Sequence, residues 1–176
     1  MMRIISFVFL IPMLYGCAEK IKPSALGGIS SASLPAQESW NTTITFTDSG
    51  IVKAVVKAGH ISAYEHTRIT QLDSSVRVDF FDEKGNHSSV LTSRRAQVDE
   101  GTNNLEAIGN VIVKSDSGVI VETEKLFWDN PRERIHSQEF VRITSPKEKL
   151  QGIGFESDQQ LRNYKIFKVS GTAESK

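Results

Sequence analysis

Cysteine occurs once in this 176-residue chain, at Cys17, so no internal disulfide is available and any domain downstream must hold together on its core. An excess of one charge is also missing. The 21 Lys and Arg residues are balanced by 21 Asp and Glu, which removes the general attraction for nucleic acid or an anionic membrane that a basic protein has. No window of a dozen residues places apolar side chains at a helical spacing. Catalytic patterns are scarce as well. His60, His66, His87 and His136 fall in no metal-binding spacing, and there is neither a Gly-x-Ser-x-Gly elbow nor a phosphate-cradling glycine loop. Gly152-Ile153-Gly154 reads as a bend in a strand, and Glu122 and Glu124 as a solvated face. The expectation is a non-enzyme without cofactor or metal.

Long apolar runs are nearly absent too. The one run, Ile4 to Leu14, is about half the ~20 residues that a transmembrane helix needs. Following Arg3, it has the length of a signal-peptide core. Leu14-Tyr15-Gly16-Cys17 directly after it resembles a lipobox, in which the cysteine is acylated and becomes the new N-terminus. The expected organisation starts with a lipoprotein signal peptide over 1–16, then lipidated Cys17 and a flexible linker over 17–39. That linker carries Pro23, Gly27-Gly28, Pro35 and many Ser and Ala residues. Several acyl chains on Cys17 would make the anchoring stable, where a single chain binds only marginally.

From Trp40 onward the pattern is alternation. Thr42 to Thr47, Val76 to Phe81, Val111-Ile112-Val113, Val119-Ile120-Val121, Phe140 to Ile143 and Lys165 to Val169 read as strands, separated by turn signals such as Asp48-Ser49-Gly50 and Ser115 to Gly118. This indicates one all-β domain over 40–171, a sandwich, roll or barrel, with a short tail at 172–176. An internal repeat runs through it. Val98, Leu105, Val111, Val113 and Ile120 recur thirty residues later as Trp128, Ile135, Val141, Ile143 and Leu150, and a weaker preceding copy matches Val76, Val78, Ser93 and Val98 to Val111, Val113, Thr123 and Trp128. One copy could not bury its own apolar face; stacked copies would share an elongated core.

Asn104 to Val113, with its Leu105-x-Ala107-x-Gly109-Asn110-Val111 spacing, resembles the signature of the LptC/LptA/OstA-like group. Trp40 to Gly50, Leu91 to Ala96 and Leu150 to Asp158 resemble LptC segments in the same order. One departure is that the better-known LptC proteins keep an uncleaved transmembrane helix. The resemblance implies an open β-jellyroll of stacked antiparallel hairpins that carries lipopolysaccharide acyl chains. It implies docking to the LptBFG transporter at one end and an LptA-like bridge at the other. It also implies a periplasmic place at the inner membrane, where the lipid on Cys17 expected from the lipobox would be the anchor. The outer membrane is the alternative, because Ala18 is not the aspartate that retains enteric lipoproteins.

Groove-lining candidates are Ile44, Phe46, Val55, Val76, Val78 and Phe80 in the first half, and Val111, Val113, Trp128, Ile135, Val141 and Ile143 in the second. The same residues would equally fill a packed core. The docking edges implied are Asn41, Ile44 and Thr47 toward the transporter, and Tyr164, Ile166, Phe167 and Val169 toward the bridge. Arg94-Arg95 is a further candidate, for lipid phosphates. The alternative function is a structural or adhesive lipoprotein whose repeat domain binds protein or carbohydrate and no lipid.

Overall fold

The computed structural model describes residues 34–174; Cys17, the signal peptide and most of the linker lie outside them. Ten strands follow one another: β1 (Gln37–Asp48), β2 (Ile51–Tyr64), β3 (Ile69–Phe81), β4 (His87–Ser93), β5 (Arg95–Asp99), β6 (Asn104–Ser115), β7 (Ile120–Asp129), β8 (Arg134–Thr144), β9 (Glu148–Asp158) and β10 (Tyr164–Glu174). All pair antiparallel in one sheet of order β1-β2-β3-β4-β6-β7-β8-β9-β10, and there is no helix among the described residues. Strand β5 shares one sheet position with β4, lying between β3 and β6 beyond the break at Arg94. The all-β jellyroll expected from the sequence is what forms. The first strand starts at Gln37, ahead of Trp40, and the last runs on to Glu174.

Nearly every strand is interrupted at the same level. Pairing shifts register at Ala58/His60, Ile108/Val111, Thr123/Phe127, Ser137/Phe140 and Val169/Gly171. Ser74 and Ser75 in β3, Gly109 and Asn110 in β6, and Gly154 in β9 have positive φ. A bulge bends its strand and adds twist, so aligned irregularities fold the sheet back over itself into two facing layers. Buried hydroxyls take up carbonyls that the bulges free: Ser93 Oγ donates to the Arg95 carbonyl at 2.9 Å, Thr123 Oγ1 to Phe140 at 3.0 Å, and Ser137 Oγ to Lys125 at 2.6 Å. Ser93 and Thr123 are equivalent positions of the repeat, so the repeated hydroxyl marks the fold line. The layers meet where the Phe80 and Trp128 rings lie 6.0 Å apart.

Each step of thirty residues moves two strands along the sheet. Leu105 faces Trp128, which faces Ile135. The last pair of the repeat is displaced: Val121, not Ile120, occupies the inward place that Leu150 holds in the next copy, because Val113 pairs with Val121 as Ile143 pairs with Leu150. The β6–β7 turn is one residue longer than the β8–β9 turn, which moves Ile120 to the outer face.

Candidate functional site

The inner faces of the two layers pack together as an elongated apolar interior, the candidate trough. Its upper layer carries an unbroken row of directly paired residues, Ile44–Val56–Val78–Leu91–Val113–Val121–Ile143–Leu150, one from each of eight strands. The opposite layer contributes Ile61–Leu72–Ala96–Ala107–Leu126. Strict alternation puts these side chains on one side, and pairing aligns them across the sheet.

Of the expected lining residues, Val76, Val78, Phe80, Val111, Val113, Ile135, Val141 and Ile143 are buried, and Ile44 and Trp128 pack partly buried against the same cluster. Two differ. Val55 pairs with Thr45 and Asp79, on the outer face, because the neighbour that turns inward is Val56. Phe46 shares the inner side with Ala54 and Phe80 yet remains 39% exposed, since it belongs to the edge strand and has a neighbour on one side only. Leu72, Leu91, Val121, Leu126, Phe155 and Leu161 are further buried members outside the expected set. Val121 was available from its alternation with Val119. Leu161 carries no such signal, because it lies in the β9–β10 turn.

The trough ends in two edges whose far sides pair with nothing among the described residues: β1 and β10. Asn41, Ile44 and Thr47 lie on β1; Tyr164, Ile166, Phe167 and Val169 lie on β10. On β1, Trp40 is 63% exposed and its ring lies 5.2 Å from that of His60. His60 Nδ1 is 3.1 Å from Asp73 and its Nε2 3.3 Å from Glu38, so one imidazole joins β1, β2 and β3. Hydrogen bonding to Asp73, with a smaller contribution from Glu38, raises the His60 pKa; the same contact lowers that of Asp73. His87 plays a similar part at the turns, with Nδ1 2.9 Å from Asp116 and Nε2 3.6 Å from Asp79. His136 stacks on Phe127, and His66 meets Tyr64 edge-on. Among the described residues, no three His, Cys, Asp or Glu side chains gather as metal ligands would.

Arg94 and Arg95 are both exposed at the fold line. The Arg94 stem lies over Gly109, where an added Cβ would come within 3.2 Å of Arg94 Cδ. An open cleft of about 960 Å³ stands at the β8–β10 end of the trough, lined by Val119, Lys147, Glu148, Leu161, Arg162 and Lys165 among others.

No curated protein matches this sequence. A family model described as lipopolysaccharide-assembly, LptC-related, matches residues 37–174, from the first residue of β1 to the last of β10. The chain, with its folded-over sheet and apolar interior between two free edges, belongs to the LptC-related family of lipopolysaccharide-assembly proteins.

Proposed function

We propose that this domain is the membrane-anchored periplasmic component of lipopolysaccharide export. In this reading it takes acyl chains from an LptBFG-type transporter and hands them to an LptA-like bridge. The observation that carries the reading is the row of paired apolar residues from Ile44 to Leu150, running without a polar interruption from the first strand to the ninth. Such a lining holds hydrocarbon without specific contacts, since each methylene taken from water contributes about 0.8 kcal/mol. Flow then needs no chemistry within the domain, only shape and two docking points driven by ATP hydrolysis elsewhere.

Free edges support the second half of the proposal. Unpaired N–H and C=O groups on β1 and β10 can accept a partner strand, which extends the trough from one protein to the next. Asn41, Ile44 and Thr47 would face the transporter; Tyr164, Ile166, Phe167 and Val169 would face the bridge. Acylation of Cys17 would tether the domain to the inner membrane through the segment 17–36. A photo-crosslinking residue at Val78 or Val113 tests the proposal in cells. Lipopolysaccharide adducts are the expected result, and their absence at every inner position would leave the adhesive alternative standing.

A further inference from the structure

The β9–β10 turn, Gln159 to Asn163, reaches across the end of the trough to the other layer. The Gln159 side-chain amide donates to the Phe81 carbonyl at 3.3 Å, and Ser89 Oγ donates to the Gln159 carbonyl at 3.1 Å. These bonds join residues more than 65 positions apart, and they are not part of any strand ladder. Between them and β10 the turn inserts Leu161, which is fully buried and holds φ at +56°. A bulky side chain rarely adopts that backbone conformation, and here the turn adopts it while burying an apolar plug. Asp158 braces the turn by accepting from the Leu161 and Arg162 amides and from the Asn163 side chain.

Outside the plug lies the 960 Å³ cleft, a volume suited to a polar headgroup of moderate size. Its acidic residues are engaged: Glu148 accepts from Tyr164 Oη at 2.7 Å, and Glu156 faces Arg134 at 3.9 Å. Apart from Arg134, its cations are not. Lys147, Arg162 and Lys165 form no ion pair among the described residues, and Lys165 Nζ rests 5.3 Å above the Phe167 ring. Just inside, Ser157 is buried next to Tyr164 with a hydroxyl that has no hydrogen-bond partner among the described residues. A free hydroxyl there costs stability and offers a hydrogen bond to an acyl carbonyl.

We infer that the β8–β10 end of the trough is a gated portal for an anionic amphiphile: Lys147, Arg162 and Lys165 hold its charged headgroup while its alkyl chain displaces Leu161 and passes between the layers and the outside. The inference rests on the trough reading above and adds where the ligand passes, which charge it carries, and which residue stands in the way. Gln159 sets how readily the strap lifts.

The test uses the purified full chain and dodecyl phosphate below its micelle concentration, with dodecyl maltoside and inorganic phosphate as comparisons. Dodecyl phosphate is expected to bind at least about tenfold more tightly than the maltoside, the difference that one or two charge-assisted contacts supply. Combining Lys147→Glu, Arg162→Glu and Lys165→Glu should erase that preference, with the circular dichroism spectrum as the check that the fold is kept. Gln159→Ala, which removes the bond to the Phe81 carbonyl, should speed association severalfold. Equal affinity for the two amphiphiles, an unchanged preference in the triple variant, or inorganic phosphate binding as well as dodecyl phosphate would each overturn the portal. Crosslinking at Val78 and Val113 separates the two levels. Wild-type adducts that persist in full in the triple variant count against the portal alone, whereas no adducts even in the wild type remove the trough reading beneath it.

Discussion

Leu91 sits at the centre of the upper row, between Val78 and Val113, and is 1% exposed. Leu91→Ala removes three carbon atoms from this place. At about 0.8 kcal/mol for each, the lost transfer free energy is roughly 2.4 kcal/mol. A residual cavity adds to that, because the neighbouring strands are held in register by their ladders and can close only partly; the expected total is about 3–4 kcal/mol. That is a large share of the ~5–15 kcal/mol that stabilises a domain of this kind. Urea denaturation reads it directly, as a lower midpoint with an unchanged slope. Val55→Ala is the control: Val55 lies on the outer face opposite Thr45 and Asp79, and its truncation should cost less than about 1 kcal/mol. A loss below about 1 kcal/mol at Leu91, with the same slope, would refute the assignment of this row to a closed, packed interior. The cavity also connects stability to function. A short alkyl ligand that fills it should raise the denaturation midpoint of Leu91→Ala more than that of the wild type, by mass action on the folded state.

Three further outcomes follow from the geometry. His60 has a raised pKa, so its contribution is complete below its ordinary value of 6.5 and is lost as pH rises through the higher folded value; Asp73 has a lowered pKa, so its share is complete above 3.8 and fades as acid takes pH through the folded value. The clamp on β1 is thus whole in mildly acidic solution, and the midpoint of unfolding should fall from about pH 6 to about pH 8 in the wild type more steeply than in His60→Gln. Gly152→Ala would place a Cβ 2.2 Å from the Lys168 carbonyl oxygen, a backbone atom that cannot yield without separating β9 from β10. It should cost about 1–3 kcal/mol and accelerate hydrogen exchange in β10, while exchange in β3 and β4 stays as it was. A proline at Ile166 removes an N–H from the edge strand; if β10 is the docking edge, it should abolish capture of an LptA-like partner, and full capture by this variant would count against that edge.

Much of the architecture was legible in the chain because alternation and turn residues are local. Val76-x-Val78, Val111-x-Val113 and Val141-x-Ile143 announced strands with one buried face, and all six are buried. The thirty-residue period announced that hairpins stack. Val55 shows the limit. In the valine-rich run Ile51 to Val56 both faces look apolar, so alternation there does not say which face turns inward; pairing with Thr45 and Asp79 decides it. Phe46 shows another limit. Its face follows from parity, but its exposure follows from belonging to the edge strand.

The amino-acid sequence by itself determined the strands, their hairpin order and the repeat, since each rests on contacts between near neighbours along the chain. Only the tertiary structure decided that the sheet doubles over at a line of bulges, that Leu161 reaches back to close the trough, and that His60 joins three strands. Those features depend on residues such as Ser89 and Gln159, 70 positions apart, and the free energy of bringing them together exists only once the whole sheet is in place.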